Sequence, residues 1–313
     1  MTDVAVIVPT LRRPESLERA LRSLFGQTGV ADRVSAIVVV DNDPVGSAAT
    51  TIEASRPSSP WPLTYVHAPR PGVATARNAG LTATNAPLIA FLDDDEAASP
   101  GWLAALLKAQ AATGADAVFG PITGRAPDAA DWLKPHLERF FGREGPERTQ
   151  LIETPFGCGN SLMVRSAALP GPAPFNTDAD QAGGEDDALF AALASRGGQF
   201  GWAADARVEE FAPAHRATLE YALSRAFAYG QGPSQTAAAA RDWPGVARWM
   251  AIGVAQATVW GAASAALTLI ASPKRAEMYD RTARGVGKLF WMKGFEPHFY
   301  GARELARLEA AKA

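Results

Sequence analysis

Cysteine is nearly missing: Cys158 is the only one in 313 residues, so a disulfide within the chain and a multi-cysteine metal site are both excluded, and a reducing compartment is expected. Histidine is scarce as well, with four in the chain, which argues against a histidine-rich metal centre. Neither sign of charge prevails. Thirty Lys and Arg against 33 Asp and Glu leave a net charge of -3, so no overall basic field recruits nucleic acid. With 47% hydrophobic and 20% charged residues, the chain is neither disordered nor collagen-like. Its start, Met-Thr-Asp followed by Val4-Ala5-Val6-Ile7-Val8, lacks the charged n-region and cleavage site of a secretory signal, and the bulk of the chain is expected in the cytoplasm. The small net charge hides an asymmetry. Ser272 to Ala313 hold nine Lys and Arg against five Asp and Glu, or +4, leaving -7 for the rest.

Short apolar, β-branched runs alternate with helix-period segments in the amino-terminal part. Val4 to Val8, Ala36 to Val40, Leu63 to His67 and Leu88 to Leu92 read as strands; Glu15 to Phe25, Val73 to Thr84 and Trp102 to Thr113 read as helices. Strand, helix, strand repetition with near-continuous apolar strands predicts an α/β domain on a mostly parallel sheet. Ligands of such sheets sit beyond the carboxyl ends of the strands. The residues there are Pro9-Thr10, Asp41-Asn42-Asp43 and Asp93-Asp94-Asp95-Glu96, so two acidic clusters share one rim. Further on, Gly120 to Glu153 reads as irregular structure with a short helix around Trp132 to Phe141. Pro170 to Gly184 reads as a mobile loop leading into Glu185-Asp186-Asp187 and a helix from Ala188 to Ser195.

Three consecutive carboxylates at a strand end, Asp93 to Asp95, crowd like charges, and a divalent cation is their natural partner. Mg²⁺ or Mn²⁺ prefers oxygen ligands, takes one or two protein carboxylates and completes its shell with substrate phosphates. A solvated acidic turn or a helix cap is the alternative. Asp41 closes Ile37-Val38-Val39-Val40, where it either accepts from a pyrimidine imide or a ribose hydroxyl, or caps an Asp-Asn-Asp-Pro turn. Arg77 and Asn78 follow Pro71-Gly72-Val73-Ala74-Thr75-Ala76. Glycine there admits close backbone approach, a helix start can face an anion, and the Arg77 fork suits phosphate or the acidic cluster. A helix with one surface arginine is the plainer reading. Glu185, Asp186 and Asp187 either cap a helix through its dipole or bring a general base to a cleft. His215 and Arg216, behind a strand expected at Ala206 to Glu210, are surface residues or contacts to metal and diphosphate. Cys158, with no base identifiable beside it, reads as a small packed residue.

Taken in order, Val6 to Pro14, Val40-Asp41-Asn42-Asp43, Pro71-Gly72 to Asn78-Ala79-Gly80, Phe91 to Glu96 and Gly183-Gly184-Glu185-Asp186 resemble glycosyltransferase family 2, inverting enzymes with the GT-A nucleotide-sugar fold. The Asp-Asn-Asp and Asp-Asp-Asp-Glu forms resemble the bacterial exopolysaccharide transferases of the succinoglycan type. The resemblance implies a GT-A catalytic domain over residues 1–235. Its donor site would comprise Pro9, Thr10, Arg12, Asp41, Asp43, Arg77, Asn78, Asp93, Asp94 and Arg216. Asp41 would meet the base, Asp93 the ribose side, and Arg77 and Arg216 the diphosphate or the acidic cluster. The resemblance also implies Mg²⁺ or Mn²⁺ on Asp95 and His215, an acceptor side lined by Gly159 and Asn160, and Asp186 as the base, with Glu185 and Asp187 as alternatives. The implied reaction moves a sugar, preferably from a UDP-sugar, to a hydroxyl of a polyprenyl-diphosphate-linked or polysaccharide acceptor. A sugar-nucleotide pyrophosphorylase would want a Gly-rich, Lys/Arg-bearing loop where Pro9-Thr10-Leu11-Arg12-Arg13 stands. A non-catalytic polysaccharide-binding or scaffold protein would not need all three acidic sites.

From Trp249 to Pro273 no charge interrupts 25 positions, enough to cross a hydrocarbon core, although eight alanines between Trp249 and Ala271 weaken the apolar character. A single span would put the cationic tail outside, against the positive-inside tendency. Residues 236–313 are therefore expected to form a helical region lying on or dipping into the cytoplasmic leaflet of a bacterial inner membrane. There Lys288-Leu289-Phe290-Trp291-Met292-Lys293-Gly294-Phe295 would turn aromatics and cations toward anionic lipid. A buried helical hairpin is the alternative.

Overall fold

The computed structural model describes residues 3–180 and 183–297, with Phe299 and Ala306 beyond them. Gln181 and Ala182 of the expected loop, and most of the cationic tail, lie outside the described residues. Among the described residues there are eleven strands: β1 (Val4–Thr10), β2 (Val34–Asp41), β3 (Leu63–His67), β4 (Leu88–Phe91), β5 (Glu96–Ala98), β6 (Ala117–Phe119), β7 (Ile122–Arg125), β8 (Gln150–Ile152), β9 (Ser161–Val164), β10 (Phe200–Trp202) and β11 (Val208–Phe211). The α-helices are α1 (Pro14–Phe25), α2 (Ala49–Ser55), α3 (Val73–Thr82), α4 (Trp102–Thr113), α5 (Lys134–Phe141), α6 (Arg165–Ala168), α7 (Glu185–Ser195), α8 (Leu219–Ala239), α9 (Trp243–Leu269) and α10 (Arg275–Leu289). The described residues form two compact units, 3–123 with 142–210, and 124–141 with 211–297.

In the first unit the order β3-β2-β1-β4-β9-β6-β10-β8 makes a mixed sheet whose β3, β2, β1 and β4 run parallel. Alternation within β1 explains its unbroken apolar run. Val4, Val6 and Val8 face a core with Leu17, Leu21 and Leu24 of α1 and Trp102 and Leu106 of α4. Ala5 and Ile7 face the opposite core with α3 and α7. Both faces are covered, so neither can be polar. α1 buries Leu17, Ala20, Leu21 and Leu24 at three- and four-residue spacing, with Pro14 and Glu15 in a first turn that suits both. The chain order turns back between β1 and β4, which opens the crevice beyond their carboxyl ends. A smaller sheet has the order β5-β11-β7.

The second unit contains α5, α8, α9 and α10. Thr218 caps α8 by accepting from the Tyr221 N–H at 3.2 Å, and Asp242 caps α9 by accepting from Gly245 N–H at 2.9 Å. Glycines let the helices approach: a Cβ on Gly253 would lie 2.7 Å from the Gly285 carbonyl oxygen, and one on Gly287 2.1 Å from that of Phe227. Residue 235, the boundary expected from sequence, falls inside α8. The helix runs through it because Gln231, Ser234 and Gln235 donate to the carbonyls of Phe290, Lys288 and Trp291. α7 begins at Glu185 rather than Ala188, since its three acids occupy the first turn that the helix dipole favours.

Candidate active site

The end of β1 and the turn after β4 are tied together before any ligand is considered. Thr10 Oγ1 donates to Asp94 Oδ2 at 2.7 Å, and Arg13 Nη1 bridges Asp94 Oδ1 and Asp95 Oδ2, both at 2.9 Å. Asp93 differs from its neighbours: its side chain remains 39% exposed, with Arg77 Nη2 at 3.6 Å. Burial raises the pKa of Asp93 against the pull of Arg77, and that of Asp94 against Arg13, with the adjacent carboxylates adding to the rise. Glu96 is fully enclosed. Its Oε2 accepts from Asp93 N–H at 2.9 Å and Asn160 N–H at 3.2 Å, and burial together with the charges of Asp93 and Glu210 pushes its carboxyl well above the ordinary range.

α7 brings the second acidic group to the same place. Glu185 is buried and pairs closely with Arg77, whose guanidinium lies 5.6 Å from the centroid of the Phe175 ring. Burial would lower the Arg77 pKa, but Cys158, Asp93, Glu185 and Asp186 around it raise it. Burial raises the Glu185 carboxyl even against Arg77. Asp186 is half-buried: Oδ2 accepts from Cys158 N–H at 3.3 Å and Oδ1 from Asp187 N–H at 2.9 Å, while Asp187 itself is exposed. Of the three acids, Asp186 alone is both accessible and directed at the loop beside Asp93.

Several residues expected to touch substrate are instead occupied within the protein. Asp41 is completely buried; it accepts from Asp43 N–H (3.1 Å), Ala48 N–H (2.7 Å) and Tyr65 Oη (3.0 Å). Tyr65 in turn is pushed up to about 12 by burial and by Asp41. Arg12, in a left-handed conformation at φ 55°, donates from Nε to Asp43 Oδ1 at 3.0 Å. Donors from Ser47, Val45 N–H and Arg12 hold Asp43 below the usual carboxylate range despite its burial. Pro9 is half-buried within β1, opposite Val40. Asn78 exchanges a reciprocal pair of hydrogen bonds with the Phe175 backbone at 2.8 and 3.1 Å. Asn160 has no exposed surface: Trp102 Nε1 donates to its Oδ1 at 2.7 Å and its Nδ2 donates to the carbonyls of Pro121 and Ala206, both at 2.9 Å. Its side chain therefore ties the loop beside Asp93 to α4 and to the segments at Pro121 and Ala206. Gly159 does sit at the site, where a Cβ would lie 2.7 Å from Asp93 Oδ2. The start of α3, offered by the sequence to a substrate anion, already holds a carboxylate: Asp180 accepts from Thr75 N–H at 3.1 Å and Thr75 Oγ1 at 2.6 Å. His215 and Arg216 belong to the second unit, where Arg216 lies 5.6 Å from the centroid of the Tyr221 ring.

Sequence reasoning missed Arg13, Asp180, Trp102 and Arg143. Only Arg13 carried a local signal, the adjacent cation pair Arg12-Arg13 after a strand that faces an acidic cluster. No group of three or more His, Cys, Asp and Glu among the described residues is arranged to hold a metal. The donor chemistry still suits one. Carboxylates outnumber the cations Arg13 and Arg77, Asp93 is partly free, and hard oxygen ligands match Mg²⁺ or Mn²⁺, which draw most of their shell from water and phosphate.

A mostly parallel sheet with this acidic rim at its switch point is a GT-A-like fold. The chain belongs to glycosyl transferase family 2, whose model matches residues 5–170. It is 33% identical over 304 residues to the succinoglycan biosynthesis protein ExoM of Rhizobium meliloti (strain 1021), covering 95% of this chain and 96% of that one. A validoxylamine A glucosyltransferase of Streptomyces hygroscopicus subsp. jinggangensis is 36% identical over 111 residues, 34% of this chain and 25% of the relative. Among solved structures, the mannosyltransferase PcManGT from Pyrobaculum calidifontis, in complex with GDP-Man and Mn2+, aligns with a TM-score of 0.59 at 20% identity over 94% of this chain and 88% of that one. S. aureus TarS 1-349 in complex with UDP-GlcNAc aligns with a TM-score of 0.50 at 17% identity, over 67% of this chain and 58% of that one. At these identities the structures share the fold.

Proposed function

We propose that the protein is a metal-dependent, inverting glycosyltransferase that moves a sugar from a nucleotide-diphosphate donor, preferably a UDP-sugar, to a hydroxyl of a lipid-linked or polysaccharide acceptor in exopolysaccharide synthesis. The observation that carries this reading is the pairing of a half-buried Asp186 with a partly exposed Asp93 at the mouth of the β1–β4 crevice, with Arg77 behind both. Asp93 would meet the ribose side of the donor, and Asp95, with Asp93 beside it, would hold Mg²⁺ or Mn²⁺. That ion would supply Lewis-acid neutralisation of the leaving diphosphate. Asp186 would take the proton of the acceptor hydroxyl while its oxygen attacks the anomeric carbon and the bond to the diphosphate breaks. One displacement from the face opposite the leaving group inverts the configuration. Asp41, Asp43 and Arg12 would act together as the floor of the nucleoside side, holding its loop rather than presenting a free carboxylate.

The relationship to an exopolysaccharide biosynthesis protein supports an acceptor of that class, and a likeness to a transferase solved with Mn2+ supports the ion. α9 is the one described helix long and apolar enough to cross a membrane, by length and composition. Its packing favours a seat in the plane of the cytoplasmic leaflet. α10 runs along it, with Gly285 against Gly253, Arg281 4.6 Å from the centroid of the Trp260 ring, and Tyr279 Oη 2.6 Å from Thr268 Oγ1. A crossing would drag the charged side chains of α10 into hydrocarbon, at a cost of about 2.5–3.5 kcal/mol for each cation near the centre.

The test is turnover of a nucleotide-sugar panel with Mn²⁺ or Mg²⁺ and lipid-linked or oligosaccharide acceptors. The expected outcome is inverted product, loss of turnover with a chelator and, for Asp186→Asn, a kcat lowered about 100-fold or more with UDP binding retained. No donor consumption anywhere on the panel would reject the reading.

A further inference from the structure

Arg143 is a part-buried cation whose guanidinium, among the described residues, donates to backbone carbonyls. Nη1 reaches Gly159 O at 2.8 Å and Asn160 O at 3.4 Å, and Nη2 reaches Gly157 O at 3.1 Å. The same group lies 5.4 Å from the centroid of the Phe156 ring. Enclosing a cation is costly, and a planar fork holds two carbonyls at a fixed separation as an ammonium cannot. The loop gripped in this way faces the chemistry with its other side. Cys158 N–H points at Asp186 Oδ2, Gly159 lies against Asp93 Oδ2, and Asn160 N–H is taken by Glu96. Gly157 completes the fit, because a Cβ there would stand 3.1 Å from Asp186 Oδ2.

We propose that Arg143 is a positioning residue of the transfer reaction: by fixing the carbonyls of Gly157 and Gly159 it aims the Cys158 N–H at Asp186 and holds that carboxylate where it takes the acceptor proton. The proposal rests on Asp186 being the base. Arg143 touches neither donor nor acceptor in this role. Its loss relaxes the loop, turns the single N–H away, and lets the Asp186 side chain rotate. A base misplaced by an ångström loses about 100-fold in rate.

The test uses the full chain, with the most active donor among UDP-glucose, UDP-galactose, UDP-GlcNAc and GDP-mannose, and compares Arg143→Lys, Asp186→Asn and the double variant. Arg143→Lys is expected to lower kcat about 10- to 100-fold while the Kd for UDP with Mn²⁺, read by titration calorimetry, stays within about twofold. In the Asp186→Asn background the same substitution is expected to cost nothing further, since the group it acts through is gone. Wild-type kcat in Arg143→Lys overturns the proposal, as does a full additional loss in the double variant, or a fall in UDP affinity parallel to kcat. Wild-type turnover in Asp186→Asn removes the base assignment itself; an impaired Asp186→Asn beside a fully active Arg143→Lys removes only the positioning role. Should Arg143→Lys not fold, Gly157→Ala reads the same contact with Arg143 intact, and wild-type kcat there overturns the proposal.

Discussion

At the scale of residues, the site is maintained by side chains whose polar atoms are engaged by other parts of the protein. Asn160 adopts a left-handed backbone at φ 51° and makes three side-chain hydrogen bonds with none of its surface exposed. Asn160→Ala is expected to cost about 2–4 kcal/mol, measured by urea unfolding, because Trp102 and two carbonyls lose their partner and the strained conformation loses its support. Glu185 shows a different balance. Its carboxyl is raised in the folded protein because burial outweighs Arg77, so its contribution to stability is complete below the ordinary value of 4.5 and is lost as pH rises through the folded value. Glu185→Gln should therefore flatten the fall in Tm across that window. At neutral pH it should also destabilise by about 3 kcal/mol, because the buried Arg77 loses its closest carboxylate and keeps only the more distant Asp93 and Asp186. Cys158 is buried and burial pushes its thiol well up, so alkylation is expected only under denaturing conditions. The acids at strand ends were legible because their chemistry is local. The partners of Asn78 and Asn160 were not, since each lies on a segment distant in sequence; Asp41 divides between the two cases, with Asp43 N–H two residues away forming the turn cap that the sequence offered and Tyr65 coming from β3.

At the scale of elements, α3 and the segment before α7 are one assembly. Asp180 satisfies the start of α3, and a Cβ on Gly72 would meet the Asp180 carboxyl carbon at 2.1 Å. Asp180→Ala is expected to lose about 1 kcal/mol, and Gly72→Ala more, with faster proteolysis between residues 171 and 184 as the readout. Strands and helices were readable because both faces of β1 are covered and because α1 and α4 repeat at helical spacing; β3 and α4 have the bounds that their apolar runs suggest. α7 starts earlier than its apolar residues indicate because acids extend a helix backwards through the dipole. The use of α3 by Asp180 had no counterpart in the local pattern, since a helix start attracts a substrate anion and a carboxylate of the chain for the same reason.

At the scale of the whole molecule, the apolar carboxyl-terminal run is a helix with an outward face, not the core of a packed domain. Val254, Val259 and Leu269 on α9 are exposed, and Trp243, Ile270, Phe290 and Phe295 add to the exposed apolar surface of this unit. If this face sits in a leaflet, Val254→Asp with Val259→Asp should abolish flotation of the full chain with anionic liposomes while leaving Tm unchanged, because neither side chain is packed inside the protein. Equal flotation of variant and wild type would remove the membrane reading. The strand–helix alternation, the acidic rim, the family motifs and the uncharged run follow from the order of residues alone, because periodicity, charge and composition act over a few residues. Which acids stay accessible, which cation grips the loop behind Asp186, and that charged α10 runs beside α9 emerge with the packing of the folded chain. Those outcomes depend on which distant segments meet, and burial alone separates a carboxylate that can take a proton from one already held by the protein.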